Sequence, residues 1–487
     1  MNRAIRKVGI AVSVLILVLV AQLTYLQVVD ADNLEDNPLN VRKTLADFNR
    51  QRGKIITADG VIVAESTPIE GSGDFKYQRA YPQGDLFAQI SGYQSFAIGN
   101  TGVEASYDKP LTGRDTGIQL SNLGDFFTGK NDTGNVVLSL TQVAQQTARD
   151  ALAGQRGSVV AIDVRTGEIA AMYSNPTFDP NPLASHDSQA VQATFDALNA
   201  DPAKPSLPRA YREIYPPGSS FKIITSAGAL DRGLATPSAP VYPFVRSIPL
   251  PNSGGQDLFN FGGQVCGGNL TESLVNSCNT TFAQIGLDLG DALVPALNNC
   301  GVGVGAPPLD LSPGAVGSLG PSRPFSDDQP GYAKAAIGQQ DVAVTALGMA
   351  LATAGIANNG IIMAPRVVRE IQNADGSSVK AIDAVPWKTC ISPQNARALT
   401  DMMVQVVQRG TGTAARINGV AVAGKTGTAQ TGSDVVHAWF VAFAPAEAPQ
   451  YAVAVMVEGG GDFGNEATGG QVAAPIARQM LQVLLGV

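Results

Sequence analysis

Tyr215-Pro-Pro-Gly-Ser-Ser-Phe-Lys-Ile-Ile-Thr225 is the stretch around which the rest of the chain is organised. Its two prolines and glycine predict a turn, and the run that follows predicts a helix, so Ser219 lies at a helix entry. Lys222 follows three positions later, on the same helical face. Because a serine hydroxyl is a weak nucleophile near neutral pH, a lysine kept neutral by burial or by a neighbouring cation can serve as its base. The stretch therefore predicts a nucleophilic serine with its base one turn away.

The Ser-x-x-Lys pattern also occurs elsewhere in the chain, for example at Ser377-Ser-Val-Lys380. There it follows Ala-Asp-Gly, which predicts a turn between polar segments, so we interpret this copy as a chance match. The alternative interpretation of Ser219 and Lys222 is a helix-capping serine beside a solvated lysine. Partners elsewhere in the chain must decide between the two.

The composition limits the class of protein. The 487 residues suffice for two or more domains with large cores. With 15% charged and 44% hydrophobic residues, most of the chain is neither disordered nor a bundle of membrane helices. The net charge of -8 argues against nucleic acid as a partner. Two histidines, and four cysteines without Cys-x-x-Cys spacing, predict no metal site, and we expect no cofactor.

The N-terminal residues have the pattern of a membrane anchor. Residues 1–7 carry three basic side chains and predict a cytoplasmic tail, and residues 8–29 are almost uniformly apolar. At 1.5 Å per residue this run spans roughly 33 Å, enough to cross a lipid bilayer. Acidic residues follow it, so we expect the rest of the chain on the outer face of the membrane. A cleaved signal peptide is the alternative, but no small-x-small cleavage site follows the run.

Residues 30–135 predict a small β-rich domain. Arg52-Gly-Lys-Ile-Ile-Thr-Ala-Asp-Gly-Val-Ile-Val-Ala64 has the pattern of two short strands around an Ala-Asp-Gly turn. We identify no nucleophile, metal cluster or phosphate loop in this segment. We therefore interpret it as a pedestal or partner-binding domain.

Residues 136–487 predict a second and larger unit. Gly157–Val164 and Glu168–Met172 have the pattern of a hairpin, and three further strands are predicted at 420–429, 438–443 and 451–457. Helices are predicted over 141–153, 335–355, 393–409 and 473–485. Strands at the end of the chain beside a helix-rich middle predict an α+β domain with an antiparallel sheet.

Two short motifs supply the partners that Ser219 needs. Ser277-Cys-Asn279 is the only Ser-x-Asn in the chain, and Lys425-Thr-Gly427 is the only Lys-Thr-Gly. Each motif alone is weak to moderate evidence. Ser-x-x-Lys, Ser-x-Asn and Lys-Thr-Gly in this order form the set found in penicillin-binding proteins and class A β-lactamases.

The sequence resembles the class B penicillin-binding proteins over most of its length. The likeness includes Pro-Pro-Gly-Ser-Ser-Phe-Lys222, Ser277-Cys-Asn279, Lys425-Thr-Gly-Thr-Ala-Gln430 and the N-terminal Arg52-Gly-Lys-Ile55. The compact N-terminal region is similar to that of actinobacterial, division-associated members. Class A members carry a glycosyltransferase domain first, and about 100 residues between anchor and catalytic unit are too few for one.

The resemblance implies a fold and an activity. The expected fold is the serine β-lactamase/transpeptidase type, an antiparallel sheet with a helical subdomain, after one transmembrane helix and a small β-rich domain. The expected activity is that of a peptidoglycan D,D-transpeptidase, which crosslinks stem peptides through an acyl-serine and is acylated by β-lactams.

The resemblance also implies roles for individual residues. Ser219 is expected to attack the D-Ala-D-Ala carbonyl, with Lys222 as its general base. Backbone N–H groups of Ser219 and Thr428 are expected to form the oxyanion hole. Ser277 is expected to relay a proton to the leaving D-alanine, and Asn279 to hold the substrate amide and Lys222.

The Lys-Thr-Gly strand has expected roles as well. Lys425 is expected to keep Lys222 neutral through its positive charge and to receive the substrate carboxylate. Thr426, Gly427 and Thr428 are expected to complete this substrate-binding edge.

The four cysteines leave alternatives open. Cys278 can pair with Cys266, because the outer compartment permits disulfides, or remain a small buried thiol. A Cys300–Cys390 pair has less support from the sequence.

Two other functions share these motifs. A D,D-carboxypeptidase or β-lactamase uses the same acyl-serine with water as the acceptor. A scaffold or β-lactam sensor keeps the fold without turnover. The retained anchor and the long N-terminal unit favour the transpeptidase, for which we expect a glycosyltransferase and the division or elongation machinery as partners.

Three other features are expected to be structural. His437 is predicted to be a structural residue at a strand start, and His186 to be solvated in a polar loop. Gly459-Gly-Gly461 is predicted to be a flexible loop bordering the cleft opposite Lys425, because no Gly-Lys-Ser/Thr follows it.

Overall fold

A computed structural model describes residues 2–30, 45, 48–70, 75–121, 133–430 and 435–487. The chain begins with an α-helix, Asn2–Thr24, which continues into a π-helical turn, Tyr25–Val29. Within it, Ile5–Gln27 is long and apolar enough to cross a membrane, and none of its most apolar window is buried against the protein. This helix overlaps the apolar run predicted as the anchor and starts before it.

The N-terminal region is built on a six-stranded sheet. Its strands, in spatial order, are Ser378–Ala381, Val368–Gln372, Asn135–Leu138, Ile55–Ile56, Ile62–Pro68 and Tyr77–Ala80. The predicted hairpin around Ala-Asp-Gly is present, since Ile55–Ile56 pairs antiparallel with Ile62–Pro68. Short helices surround the sheet at Ala88–Ser91, Gly102–Ser106, Asp108–Leu111 and Thr116–Ser121.

This sheet joins strands from both sides of the predicted domain boundary at residue 136. Val368–Gln372 pairs antiparallel with Asn135–Leu138, so a segment from the last third of the chain completes the N-terminal sheet. The boundary itself stays a prediction.

The second unit is built on a five-stranded antiparallel sheet. Its spatial order is Ala423–Gln430, Val436–Ala444, Tyr451–Val457, Gly157–Asp163 and Ile169–Asn175. Nearly every residue of the central strands is buried, which requires cover on both faces of the sheet. Helices Gln142–Leu152, Ala346–Ala357, Pro393–Arg409 and Ala473–Leu485 pack against its strands. Ala423–Gln430 forms one edge of the sheet.

A helical subdomain follows the first hairpin. Its helices are Ser188–Ala200, Arg209–Arg212, Lys222–Asp231, Leu270–Val275, Asn279–Leu289, Leu293–Asn299 and Gln329–Ala335. Three two-stranded ribbons accompany them: Tyr242–Val245 with Cys266–Gly268, Ser247–Pro249 with Asp257–Phe259, and Ile361–Met363 with Pro386–Thr389. The predicted α+β architecture, with an antiparallel sheet and a helical subdomain, is confirmed.

The prediction of one helix over 335–355 is wrong. The chain forms Gln329–Ala335, leaves the helix, and restarts at Ala346–Ala357. The second helix begins where the Thr345 hydroxyl accepts a hydrogen bond from Gly348 N at 2.9 Å, which is an N-cap. Gly338, with φ +75°, redirects the backbone between the two helices, and a Cβ there would lie 2.3 Å from Gly218 O.

The cysteines form two disulfides, Cys266–Cys278 and Cys300–Cys390. The first ties the residue between Ser277 and Asn279 to a neighbouring strand, so the buried-thiol alternative for Cys278 is wrong.

The prediction for His186 is also wrong. Its ring stacks on Phe75 with 4.1 Å between centroids and meets Phe48 edge-on, so it is half-buried among aromatic side chains.

Candidate active site

A cleft of about 980 Å³ lies between the Ala423–Gln430 edge strand and the helical subdomain. Five of the predicted site residues line it: Ser219, Ser277, Asn279, Thr426 and Thr428. The amines of Lys222 and Lys425 reach Ser277 from beneath the cleft surface. The structure therefore brings the three separate motifs together around one hydroxyl group.

Ser219 lies in a tight turn that other elements hold in place. The turn is a 3-10 helix, Gly218–Phe221, which runs into the helix Lys222–Asp231. Trp439 Nε1 donates a hydrogen bond to Pro216 O at 3.1 Å, and Gly218 N donates to Gly338 O at 2.9 Å. These bonds anchor the backbone that leads into Ser219, which is itself half-buried.

Two glycines let this turn lie directly against the edge strand. A Cβ on Gly218, whose φ is +53°, would lie 2.6 Å from Thr428 O. A Cβ on Gly427 would lie 2.7 Å from Pro217 O and 2.9 Å from Ser220 N. Gly427 thus allows close backbone approach, which a side chain would prevent.

Lys222 is fully buried and points toward the Ser-x-Asn motif. Its Nζ donates to Ser277 O at 2.7 Å, to Asn279 Oδ1 at 2.7 Å and to Ser277 Oγ at 3.3 Å. Burial lowers the pKa of Lys222 well below the ordinary lysine value, and the charge of Lys425 lowers it further. Ser219 Oγ makes no hydrogen bond within the described residues, so no direct bond from serine to lysine is formed here.

Ser277 is held in a rare backbone conformation between two helices. Its φ is +59°, in the left-handed region that non-glycine residues seldom occupy. The disulfide at Cys278 fixes the next residue. In this position Ser277 Oγ accepts hydrogen bonds from Lys425 Nζ at 2.9 Å and Lys222 Nζ at 3.3 Å. One hydroxyl therefore links the two amines.

Lys425 is the second fully buried lysine. Besides Ser277, its Nζ donates to Thr426 O at 3.1 Å. Burial lowers the pKa of Lys425 to about 7. Within the described residues, neither Lys425 nor Lys222 has a carboxylate within 4.0 Å. Two cations are thus close together without a compensating anion, which favours loss of a proton from one of them.

The threonines of the edge strand face neighbouring loops. Thr426 Oγ1 lies 2.6 Å from Thr411 Oγ1, and Thr428 Oγ1 accepts a weak hydrogen bond from Gly469 N at 3.4 Å. Because the strand is an edge, its outer backbone groups remain available for an extended ligand.

Several residues of the site carry no signal in the sequence. Phe259 O accepts from Asn279 Nδ2 at 3.1 Å, and Thr411 contacts Thr426 as described. Arg409 also lines the cleft. These residues come from the end of a strand, a loop and the end of a helix, and only tertiary packing brings them to the motifs.

The Gly459-Gly-Gly461 loop contacts His437, which is the second residue of the strand Val436–Ala444. Gly459 N donates to His437 Nδ1 at 3.4 Å, and the ring of His437 meets Tyr215 edge-on. In the segment that follows this loop, Asn465 and Thr468 line the cleft. The three glycines Gly459-Gly-Gly461 do not line it.

Comparison with family models identifies the class of protein. Residues 157–482 match the penicillin-binding protein transpeptidase domain, and residues 52–137 match a family model described as the penicillin-binding protein A dimerisation domain. The chain therefore belongs to the penicillin-binding protein transpeptidase family.

Several individual relatives are similar to the chain over nearly its whole length. The chain is 41% identical to the peptidoglycan D,D-transpeptidase PbpA of Mycolicibacterium smegmatis, covering 100% of this chain and 99% of the relative. It is 38% identical to PbpA of Mycobacterium tuberculosis over the same shares. The solved structure of penicillin-binding protein A from M. tuberculosis, as a ceftriaxone acyl-enzyme, superposes with a TM-score of 0.82 at 36% identity. That match covers 91% of this chain and 100% of the other.

Proposed function

We propose that this chain is a peptidoglycan D,D-transpeptidase that crosslinks stem peptides through an acyl-enzyme on Ser219. The observation that carries the proposal is the convergence of Lys222 and Lys425 on Ser277 beside Ser219, with no carboxylate near them among the described residues. A neutral Lys222 is the base that a serine nucleophile needs, and the lowered pKa supports that role.

The first half-reaction transfers the donor peptide to the enzyme. Lys222 takes the proton from Ser219 Oγ, after the serine side chain has turned toward it, and Oγ attacks the carbonyl of the penultimate D-alanine. Backbone N–H groups of Ser219 and Thr428 bind the oxyanion. Ser277, bonded to both lysines, passes a proton to the departing nitrogen, so the carbon–nitrogen bond breaks and D-alanine leaves.

The second half-reaction passes the acyl group to an amine of a neighbouring stem peptide. The amine attacks the ester carbonyl, its proton returns through the same groups, and Ser219 Oγ leaves. Asn279 holds Lys222 by its Oδ1 and contacts the peptide amide, while Lys425 with Thr426 and Thr428 receives the donor carboxylate. A β-lactam enters as a donor and remains attached as the acyl-enzyme.

The proposed location is the outer face of the membrane, with the N-terminal helix as anchor. Stem peptides are extracellular, and two disulfides are typical of an oxidising compartment. In this proposal the N-terminal sheet serves partner binding, and a glycosyltransferase of the division or elongation machinery supplies the glycan strands.

Intact-protein mass spectrometry after incubation with a penicillin tests the function. We expect one stable adduct on the wild-type chain and on Ser377→Ala, a control variant in another Ser-x-x-Lys, and none on Ser219→Ala. An adduct that disappears while hydrolysed penicillin accumulates would indicate a β-lactamase. No adduct on folded wild-type protein would favour the non-catalytic scaffold.

A further inference from the structure

The described residues that line the cleft carry more cations than anions, although the whole chain carries a net charge of -8. Its charged lining residues are Lys334, Arg409 and Asp257, and Lys425 lies just beneath its surface. Such a site attracts anionic ligands. Of these cations, Arg409 carries the planar group that binds carboxylates in a forked geometry.

Arg409 already holds a carboxylate in this manner. It is the last residue of the helix Pro393–Arg409, and its Nη2 and Nη1 donate to Glu272 Oε1 at 2.7 Å and Oε2 at 3.1 Å. Its Nε donates to Gln405 Oε1 at 2.9 Å. The guanidinium is therefore oriented, and its two outer nitrogens present parallel donors to a carboxylate.

The position of Arg409 adjoins the catalytic groups on two sides. Thr411, two residues later, touches Thr426, which follows Lys425 in the edge strand. Gly410 lies against the segment that leads to Ser277, since a Cβ there would be 2.6 Å from Val275 O. Glu272 does not line the cleft, although its partner does.

The pair is easily separated. The side chains of Arg409 and Glu272 are 46% and 40% exposed, and exposed ion pairs contribute little to stability. A ligand carboxylate that the catalytic groups already hold nearby can therefore displace Glu272 from Arg409 with little loss.

We propose that Arg409 binds the carboxylate of the donor's C-terminal residue, and that Glu272 is its intramolecular competitor in the empty enzyme. This inference rests on the proposed transpeptidase function and adds a binding residue outside the three motifs. If the pair only linked the helices Leu270–Val275 and Pro393–Arg409, loss of either partner would have the same effect. In the proposed role, loss of Arg409 weakens binding of the carboxylate, and loss of the Glu272 charge strengthens it.

The test is the second-order rate constant of acylation of the full-length chain by a fluorescent penicillin and by its carboxyl methyl ester. For the free acid we expect Arg409→Ala to be about tenfold slower than wild type and Glu272→Gln to be about threefold faster. For the ester, which lacks the charge, we expect neither variant to differ from wild type. Arg165→Ala removes another exposed arginine that pairs with an aspartate, Asp163, neither of which lines the cleft, and serves as the control.

Acylation by the ester shows whether the catalytic centre is intact, because the ester has no carboxylate for Arg409 to bind. A variant that has lost only carboxylate binding is therefore slower with the free acid and unchanged with the ester. Arg409→Lys keeps the charge without the fork, and we expect its rate with the free acid to lie between those of wild type and Arg409→Ala. The inference is overturned if Glu272→Gln slows acylation as Arg409→Ala does, or if acid and ester lose rate equally. If the wild-type chain is not acylated at all, the proposed function fails instead.

Discussion

Two groups of buried cations in this molecule differ in their partners. In the N-terminal region, Arg52 and Arg79 donate to the fully buried carboxylate of Glu104 at 2.6 and 2.7 Å. In the cleft, the partners of Lys222 and Lys425 among the described residues are hydroxyl, amide and carbonyl oxygens. Both groups are removed from water, but only the first contains an anion.

The pKa shifts differ accordingly. Burial opposes the charge on Glu104, but Arg79 and Arg52 outweigh burial and hold its pKa below the usual value. Burial likewise opposes the charge on Arg52, and the carboxylates of Glu104 and Asp108 raise its pKa. In the cleft nothing offsets burial, so the pKa values of both lysines fall. Paired buried charges therefore stay ionised, whereas unpaired buried lysines become available for proton transfer.

The largest effect we expect is from Lys222→Met. This change removes the base but keeps an unbranched chain of similar volume, so acylation by penicillin should slow by about 10³-fold or more. Stability should change little, because removing a buried amine that has no anion offsets the loss of its hydrogen bonds to Ser277 and Asn279. Stopped-flow acylation and the midpoint of urea unfolding measure the two properties.

A large loss of stability in Lys222→Met would contradict the comparison, because Lys222 would then hold the structure as Glu104 does. Ser377→Ala is the control for nonspecific effects, since that serine is exposed and does not line the cleft.

The second prediction concerns the paired group. Glu104→Gln leaves Arg79 buried without the Glu104 carboxylate and leaves Arg52 with Asp108 alone, so the free energy of unfolding should fall by about 3–5 kcal/mol. The acylation rate per folded molecule should remain unchanged, because this cluster lies outside the cleft. Urea unfolding followed by circular dichroism measures the loss.

The matched control is Lys54→Ala. Lys54 lies beside the same strands and pairs with Glu65 at 3.9 Å, with both side chains partly exposed. Its removal should change stability by about 0–1 kcal/mol. Equal losses in Glu104→Gln and Lys54→Ala would show that burial does not distinguish the two pairs.

The sequence predicted those helices and strands whose first and last residues can be recognised from neighbouring residues. The helices at 393–409 and 473–485 and the strand at 451–457 have the predicted bounds. The helix predicted at 335–355 failed because Gly338 and the Thr345 cap interrupt it. The role of Gly338 depends on its contact with Gly218, which is more than 100 residues away and is not visible in a local pattern.

The same limit applies to the site. The motifs mark Ser219, Ser277 and Lys425, because proton transfer and acylation require hydroxyl and amine groups of these types. Arg409 and Thr411 show no pattern, since their position in the cleft depends on how the helix Pro393–Arg409 packs. The strand at 368–372 joins the N-terminal sheet through pairing across more than 200 residues, which alternation along one segment cannot predict.

The smallest effect we expect is in the pH dependence of acylation. The reaction needs Lys222 without its proton and Lys425 with its proton. The rate should therefore rise as the pH passes upward through the lowered pKa of Lys222, and fall as it passes through about 7, where Lys425 loses its charge. Each limb should approach about tenfold per pH unit in acylation rate measured across the range.

The Lys425→Arg variant distinguishes the rising limb of the pH–rate profile from the falling limb. Arginine remains protonated throughout this range, so the falling limb should move to higher pH while the rising limb stays in place. The charge that helps to lower the pKa of Lys222 is retained in this variant. A falling limb that does not move would assign that ionisation to another group. It would also mean that only one of the two buried lysines behaves as a cation without a counter-ion, and the contrast with the Glu104 cluster would then rest on Lys222 alone.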